Sequence, residues 1–236
     1  MCIRDSLYCV NEKYVDPAGL GEHMSIGEKE WAGFPRLMDA IGRYAPFMTT
    51  NGVILTNYSD DIEPCTARKG DVTINLGILV PASMEADVDA LWATHEKFMR
   101  DTHQFGEFPP ADDLKRPRIT QFTIVKAPEL KDPLDPSKGT TGKIQYSMQE
   151  TYCTADGIKG HFALREQYPK MFDAIMPLVS EYGVYTDLGQ GLVITAMEKP
   201  SFVSNVVSGL GNFLDKALPR RAPHEEFCED YCPEEW

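Results

Sequence analysis

Two stretches of this sequence carry the same three chemistry-bearing residues at the same spacing: YVDPAGLGEHM from Tyr14 to Met24, and YCTADGIKGHF from Tyr152 to Phe162. Each opens on Tyr and then places a Gly and a His at matching positions, Gly19 and His23 in one, Gly157 and His161 in the other. Just upstream, strand alternation puts Tyr8, Glu12 and Tyr14 on one face, and Tyr146, Glu150 and Tyr152 on one face of the counterpart. A carboxylate flanked by two phenols is unusual for a plain hydrophobic strand face. If that face lines a cavity, desolvation raises the carboxyl pKa and suits Glu12 or Glu150 to act as a base, with the phenols as hydrogen-bond donors. If it faces solvent, the same residues are a hydrated Glu beside amphipathic Tyr. His23 and His161 divide in the same way. An imidazole near neutral pH serves as a switchable base or a metal ligand, or it caps the helical segment with its ring nitrogen bonded to a nearby carbonyl.

The remaining chemistry-bearing residues point less clearly. His95 falls on the apolar stripe of a helix and reads as a satisfied core histidine. His224, Cys228 and Cys232 are spaced by four in an acidic tail, a weak pattern for soft metal ligands. Gly19 and Gly157 read as turn glycines with a positive backbone dihedral. LGQG at Leu188 to Gly191 lacks the following Lys-Ser or Lys-Thr of a phosphate loop, and no HExxH, dinucleotide fingerprint or nucleophile triad is present. The sequence therefore calls for no cofactor and no metal site of its own.

The elements that must position these groups repeat. A constant shift of 138 residues, the separation of Tyr14 from Tyr152, pairs Glu12 with Glu150, Glu28 with Glu166, Phe34 with Phe172, Met38 with Met176 and Tyr44 with Tyr182. An internal duplication accounts for so long a register. Each copy reads as an alternating strand, a glycine turn and a helical region that Pro35 or Pro169 breaks or restarts, closed by GVILT or GLVIT. Between the copies lies a third unit. DVTINLGILVP is its strand, and Ser83 is expected to cap a helix with Val88, Leu91, Trp92, His95, Phe98 and Met99 on its apolar stripe; RPRITQFTIVKAPEL is the returning strand. A final amphipathic helix is expected from about Ser204.

This order of strand, glycine turn and His before a long helix resembles the dimeric α/β-barrel superfamily, which includes the antibiotic biosynthesis monooxygenases and stress-responsive barrel proteins. The resemblance runs over roughly residues 7 to 198. It implies an α+β fold of ferredoxin-like βαβ repeats whose antiparallel sheets pack face to face into a barrel around a small-molecule cavity. A first ferredoxin-like domain is expected at residues 7–130, a second, incomplete unit with its helix at 131–220, and an acidic tail at 221–236. A full tandem needs a fourth βαβ unit, which is lost, replaced by irregular order, or supplied by the partner in a homodimer. By the same resemblance the function is a cofactor-independent monooxygenase acting on an aromatic or polyketide-like substrate. Glu150, His161, Tyr146 and Tyr152, with Glu12 and His23 in the other copy, would supply base and donors. Non-catalytic ligand-binding or stress-associated barrels are the alternative, as is a haem-binding relative with His161 as axial ligand.

Composition narrows the partners. The 236 residues carry 36 acidic against 23 basic side chains, a net charge of -13 that repels nucleic acid and anionic membranes. A small molecule is the expected partner. No apolar run reaches membrane-spanning length, and the six cysteines follow no disulfide or zinc-finger spacing, so a reducing cytoplasm is expected. Met1 to Ser6, MCIRDS, resemble a translated sequencing adapter and are expected to carry no structural information.

Overall fold

The computed structural model describes residues 9–10, 12–45, 47–57, 67–105 and 112–193, all within one compact unit bounded by Met1 and Glu198. The helix expected from Ser204 and the tail with His224, Cys228 and Cys232 lie outside the described residues, as does Tyr8.

Two helices open the described chain, α1 (Pro17–Glu30) and α2 (Phe34–Tyr44), followed by strand β1 (Val53–Asn57). Then come β2 (Val72–Pro81), α3 (Glu85–Thr102), the short β3 (Gln104–Phe105) and β4 (Arg118–Leu130). The described residues end with β5 (Thr140–Tyr152), α4 (Ala155–Ala163), α5 (Pro169–Tyr182) and β6 (Gly183–Leu192). Helices start where the sequence supplies caps. Asp16 accepts from the Gly19 amide ahead of α1, and Thr154 does the same for Gly157 ahead of α4. Pro35 and Pro169 stand in the first turns of α2 and α5, where a missing N–H costs nothing, so each proline marks a restart as the sequence suggests. Ser83 does not cap α3. It lies in a short 3₁₀ turn, and the cap position is Met84, which makes no side-chain cap bond.

The strands form one six-stranded sheet ordered β1-β4-β5-β2-β6, antiparallel throughout, with β3 added in parallel beside β4. β2 through β6 thus trace β-α-β-β-α-β with both crossovers helical. β4 and β5, which flank the boundary expected at Lys131, are direct neighbours.

Two expectations are corrected here. The sheet is open: β1 and β6 are its two edges, and nothing among the described residues closes it into a barrel. The dimeric α/β-barrel resemblance and the barrel architecture it implied are therefore not supported, and the described residues form a mixed α+β fold of five α-helices and an open sheet. Nor do the described residues show three equivalent βαβ units: those ahead of α1 form no strand, and what is described of the first copy is α1, α2 and the edge strand β1.

Alternation sorts the sheet into two faces. Ile74, Leu76, Ile78 and Val80 of β2 and Ile144, Tyr146, Met148, Glu150 and Tyr152 of β5 point to the helix side and are buried. The opposite face carries Thr73, Asn75, Thr123, Gln145 and Thr151. α3 buries Val88, Trp92, His95, Phe98 and Met99 on its expected stripe, and α5 buries Met171, Phe172, Ile175 and Leu178. Fully burying side chains of this size stabilises by about 1.5–3 kcal/mol each, so this layer is the main source of cohesion.

Candidate metal centre

Glu150 stands at the centre of the sheet, opposite Ile74 of β2 and Phe122 of β4, and is 0% exposed. Strand alternation alone puts it there: it is the one acid on the apolar side of β5. α3 brings His95 over it, with Nε2 3.4 Å from Glu150 Oε1. α4, started by the Thr154 cap just past the end of β5, brings His161, nine residues after Tyr152, with Nδ1 3.8 Å from Glu150 Oε2. Tyr152 Oη donates to Glu150 Oε2 at 2.5 Å and lies 2.9 Å from His161 Nδ1. A further imidazole, His103, just past the end of α3, places Nε2 3.1 Å from His161 Nδ1.

Among the described residues, His95, Glu150 and His161 each bring one donor atom to within 4.8 Å of the others, and all three are buried. Beside them opens a cavity of about 40 Å³. Its walls include Ile74, Leu76, Met148, Met171, Phe172 and Ile175, and its polar lining is these same three residues. Met176 and Leu188, both partly exposed, reach the same cavity.

Burial dominates the electrostatics. It pushes the Glu150 carboxyl up to about 7, against the lowering effect of the Tyr152 hydrogen bond. It pulls His95 down to about 3, and His103 to about 3 with the nearby His95 adding to the effect. His161 is held well below its ordinary value by burial and then by His103 and His95. The imidazoles are therefore neutral at physiological pH, the form in which histidine ligates metals. Glu150 Oε1 and His95 Nδ1 are buried without a hydrogen-bond partner, an uncommon state for buried polar atoms.

Of the sequence-predicted site residues, Glu150, Tyr152 and His161 come together. Tyr146, on the same strand face, is turned elsewhere: its hydroxyl donates to Asp89 Oδ1 at 2.8 Å, with the Glu85 carbonyl 3.2 Å away, beside the ion pairs of Lys126 with those two acids. Glu12 and His23 form a separate group. There Tyr14 Oη donates to Glu12 Oε2 at 2.5 Å and His23 Nε2 is 3.7 Å from Glu12 Oε2, with His23 and Glu12 side chains 49% and 46% exposed. The Tyr-to-Glu hydrogen bond and the close approach of His to Glu thus recur in both copies, through Nε2 of His23 and Nδ1 of His161, whereas burial does not, because only the second copy sits inside the sheet beneath α3.

The glycine expectation is corrected in the same region. Neither Gly19 nor Gly157 has a positive φ. Both sit inside the first turn of a helix, where an added Cβ would meet the Tyr14 ring at 3.3 Å or the Tyr152 ring at 3.1 Å. The glycine lets the tyrosine ring lie against the helix.

Sequence reasoning missed His95 and His103 as members of the site. His95 reads as core by position and is indeed core; the available signal was a polar residue on the apolar stripe of α3 matched by the lone acid on the apolar side of β5. His103 has no such signal, since it follows the helix end with no periodicity to place it.

Comparisons with protein-family models, curated proteins and solved structures yield no match to this chain. The monooxygenase activity expected from the resemblance rested on a closed barrel, as did the stress-associated and haem-binding alternatives, and with an open sheet none of them is supported. What the site contains is a His/Glu/His set of metal-ligand type. Among the described residues no helix is long and apolar enough to cross a membrane.

Proposed function

We propose that this unit binds a divalent first-row transition-metal ion through His95, Glu150 and His161 and presents it to a small apolar molecule in the adjoining cavity. Two neutral imidazoles and one carboxylate are a donor set for iron, manganese, cobalt or zinc, and three protein ligands leave coordination positions open. The observation that carries the reading is the convergence of these three donors, from three different elements, in a buried place where Glu150 Oε1 has no hydrogen-bond partner. A bound cation would satisfy that atom and neutralise the carboxylate in a region where an isolated charge is costly.

The other residues have definite parts. Tyr152 holds Glu150 Oε2, leaving Oε1 turned to His95. The methionine and aliphatic walls admit an apolar molecule and exclude bulk water. When bound, such an ion supplies Lewis-acid or redox chemistry to whatever occupies its open positions.

The test is cobalt(II) titration of metal-free protein, followed by visible absorption, with Glu150→Gln and His161→Gln as variants and far-UV circular dichroism to confirm folding. One equivalent bound by the wild type, and loss of that binding in folded variants, is the expected result. A wild type that takes up no metal, or a Glu150→Gln protein that binds as tightly, overturns the proposal.

A further inference from the structure

The hydrogen bonds around His161 run in one direction only, and that direction fixes which of its nitrogens is available. Thr102 Oγ1 donates its single hydrogen to the Phe98 carbonyl at 2.7 Å, a bond within the last turn of α3. Toward His103 Nδ1, 2.8 Å away, the same oxygen can only accept, so Nδ1 of His103 carries a hydrogen. His103 is 2% exposed and packed against the rings of Phe98, Tyr152 and His161, surroundings that oppose a second ring proton, so its Nε2 is bare and accepts. The atom facing it at 3.1 Å is His161 Nδ1, which must donate, since two lone pairs at that distance would repel. The Tyr152 side agrees whenever Glu150 is ionised: its hydroxyl hydrogen then goes to Glu150 Oε2, so toward His161 Nδ1 at 2.9 Å its oxygen is an acceptor. Every bond of the chain is satisfied by one assignment, and reversing any link leaves two donors or two acceptors face to face.

We infer that Thr102 and His103 are positioning residues which hold His161 as its Nδ1–H tautomer, so that Nε2, and not the Nδ1 that approaches Glu150 at 3.8 Å, is the ring nitrogen with a lone pair to offer a metal. The reserve of Nε2 for a metal rests on the proposed metal centre; the tautomer itself does not. Nothing in the duplicated segment foretells this role. His23 has the same Tyr and Glu beside it as His161 has, but the Thr102–His103 relay arrives from α3, which the first copy lacks. Outer hydrogen bonds of this kind orient ligand imidazoles and raise their basicity, and losing one weakens metal binding by about 10- to 100-fold.

Two measurements separate the inference from the reading beneath it. The first is long-range ¹H–¹⁵N correlation of the histidine rings in metal-free, full-length protein at neutral pH. Nδ1–H tautomers at both His103 and His161 are expected, and an Nε2–H tautomer at His161 overturns the inference whether or not the protein binds metal. The second is cobalt(II) affinity of Thr102→Val, which keeps the shape and removes the hydroxyl, with Thr102→Ser as the conservative rescue. Thr102→Val should bind cobalt at least about 10-fold more weakly and show an Nε2–H signal at His161, while Thr102→Ser matches the wild type. Unchanged affinity and tautomer in a folded Thr102→Val protein refute the positioning role. Absence of cobalt binding in the wild type refutes the metal centre alone and leaves the tautomer result to stand or fall by itself.

Discussion

Glu150→Gln should change the pH dependence of stability in a way that no surface carboxylate would. In metal-free protein the folded-state carboxyl titrates near 7 because burial disfavours its charged form, against an ordinary value of 4.5. Each pKa unit is worth about 1.4 kcal/mol, so the ionised side chain costs the folded state about 3 kcal/mol. The sign follows from proton binding. Between the unfolded and folded pKa values the native protein holds a proton that the unfolded chain has released, and stability therefore declines as pH rises through that window. Below about 4.5 the carboxyl is neutral in both states and this penalty is absent; above about 7 it is complete. Glutamine never ionises. Its stability relative to wild type should accordingly improve by about 3 kcal/mol between pH 4.5 and pH 8, with nearly all of the change complete by pH 7.5. The buried imidazoles act in the opposite sense. Their depressed pKa values favour the unfolded chain below about 6.5, so both proteins weaken toward acid, and the difference between them isolates Glu150. Urea unfolding of both proteins at half-unit pH steps with chelator present gives that difference directly. A difference flat to within about 0.5 kcal/mol would show that the Glu150 charge is not buried as described, and the argument for the site would fail with it.

Three further outcomes follow from the packing. Gly157→Ala should destabilise, because its Cβ would press at 3.1 Å on a fully buried, hydrogen-bonded Tyr152, whereas Gly19→Ala should be neutral or stabilising by up to about 1 kcal/mol because the exposed side of the first copy lets Tyr14 yield; chemical denaturation of the two variants orders them. Thr154→Ala removes both the α4 cap and a hydrogen bond to Asp113, and should cost about 1–2 kcal/mol by the same assay, with Thr154→Ser recovering most of it. Trp92→Ala should cost about 3–5 kcal/mol, since the ring is 2% exposed beside His95 in the α3 face of the core, and a loss under about 1 kcal/mol would contradict that packing.

What the sequence determined by itself is local and periodic. Alternation put Glu150 and Tyr152 on one face of β5, the 3.6-residue period placed His95 on the apolar stripe of α3, and Pro35 and Pro169 marked the restarts at α2 and α5. These features depend on neighbours within a few residues along the chain, where backbone geometry dictates who meets whom. The tertiary structure alone decided the rest. Whether a sheet closes depends on which edges find partners, and here β1 and β6 remain the edges. Whether a Tyr-Glu-His group is a hydrated surface cluster or a buried site depends on what covers it: the group at His23 lies open, and the one at His161 lies between the sheet and α3. Identical residues at identical spacing thus acquire different chemistry, because desolvation, which shifts pKa values and makes an unpartnered oxygen costly, is a property of the whole packed layer and not of the segment that carries the residues.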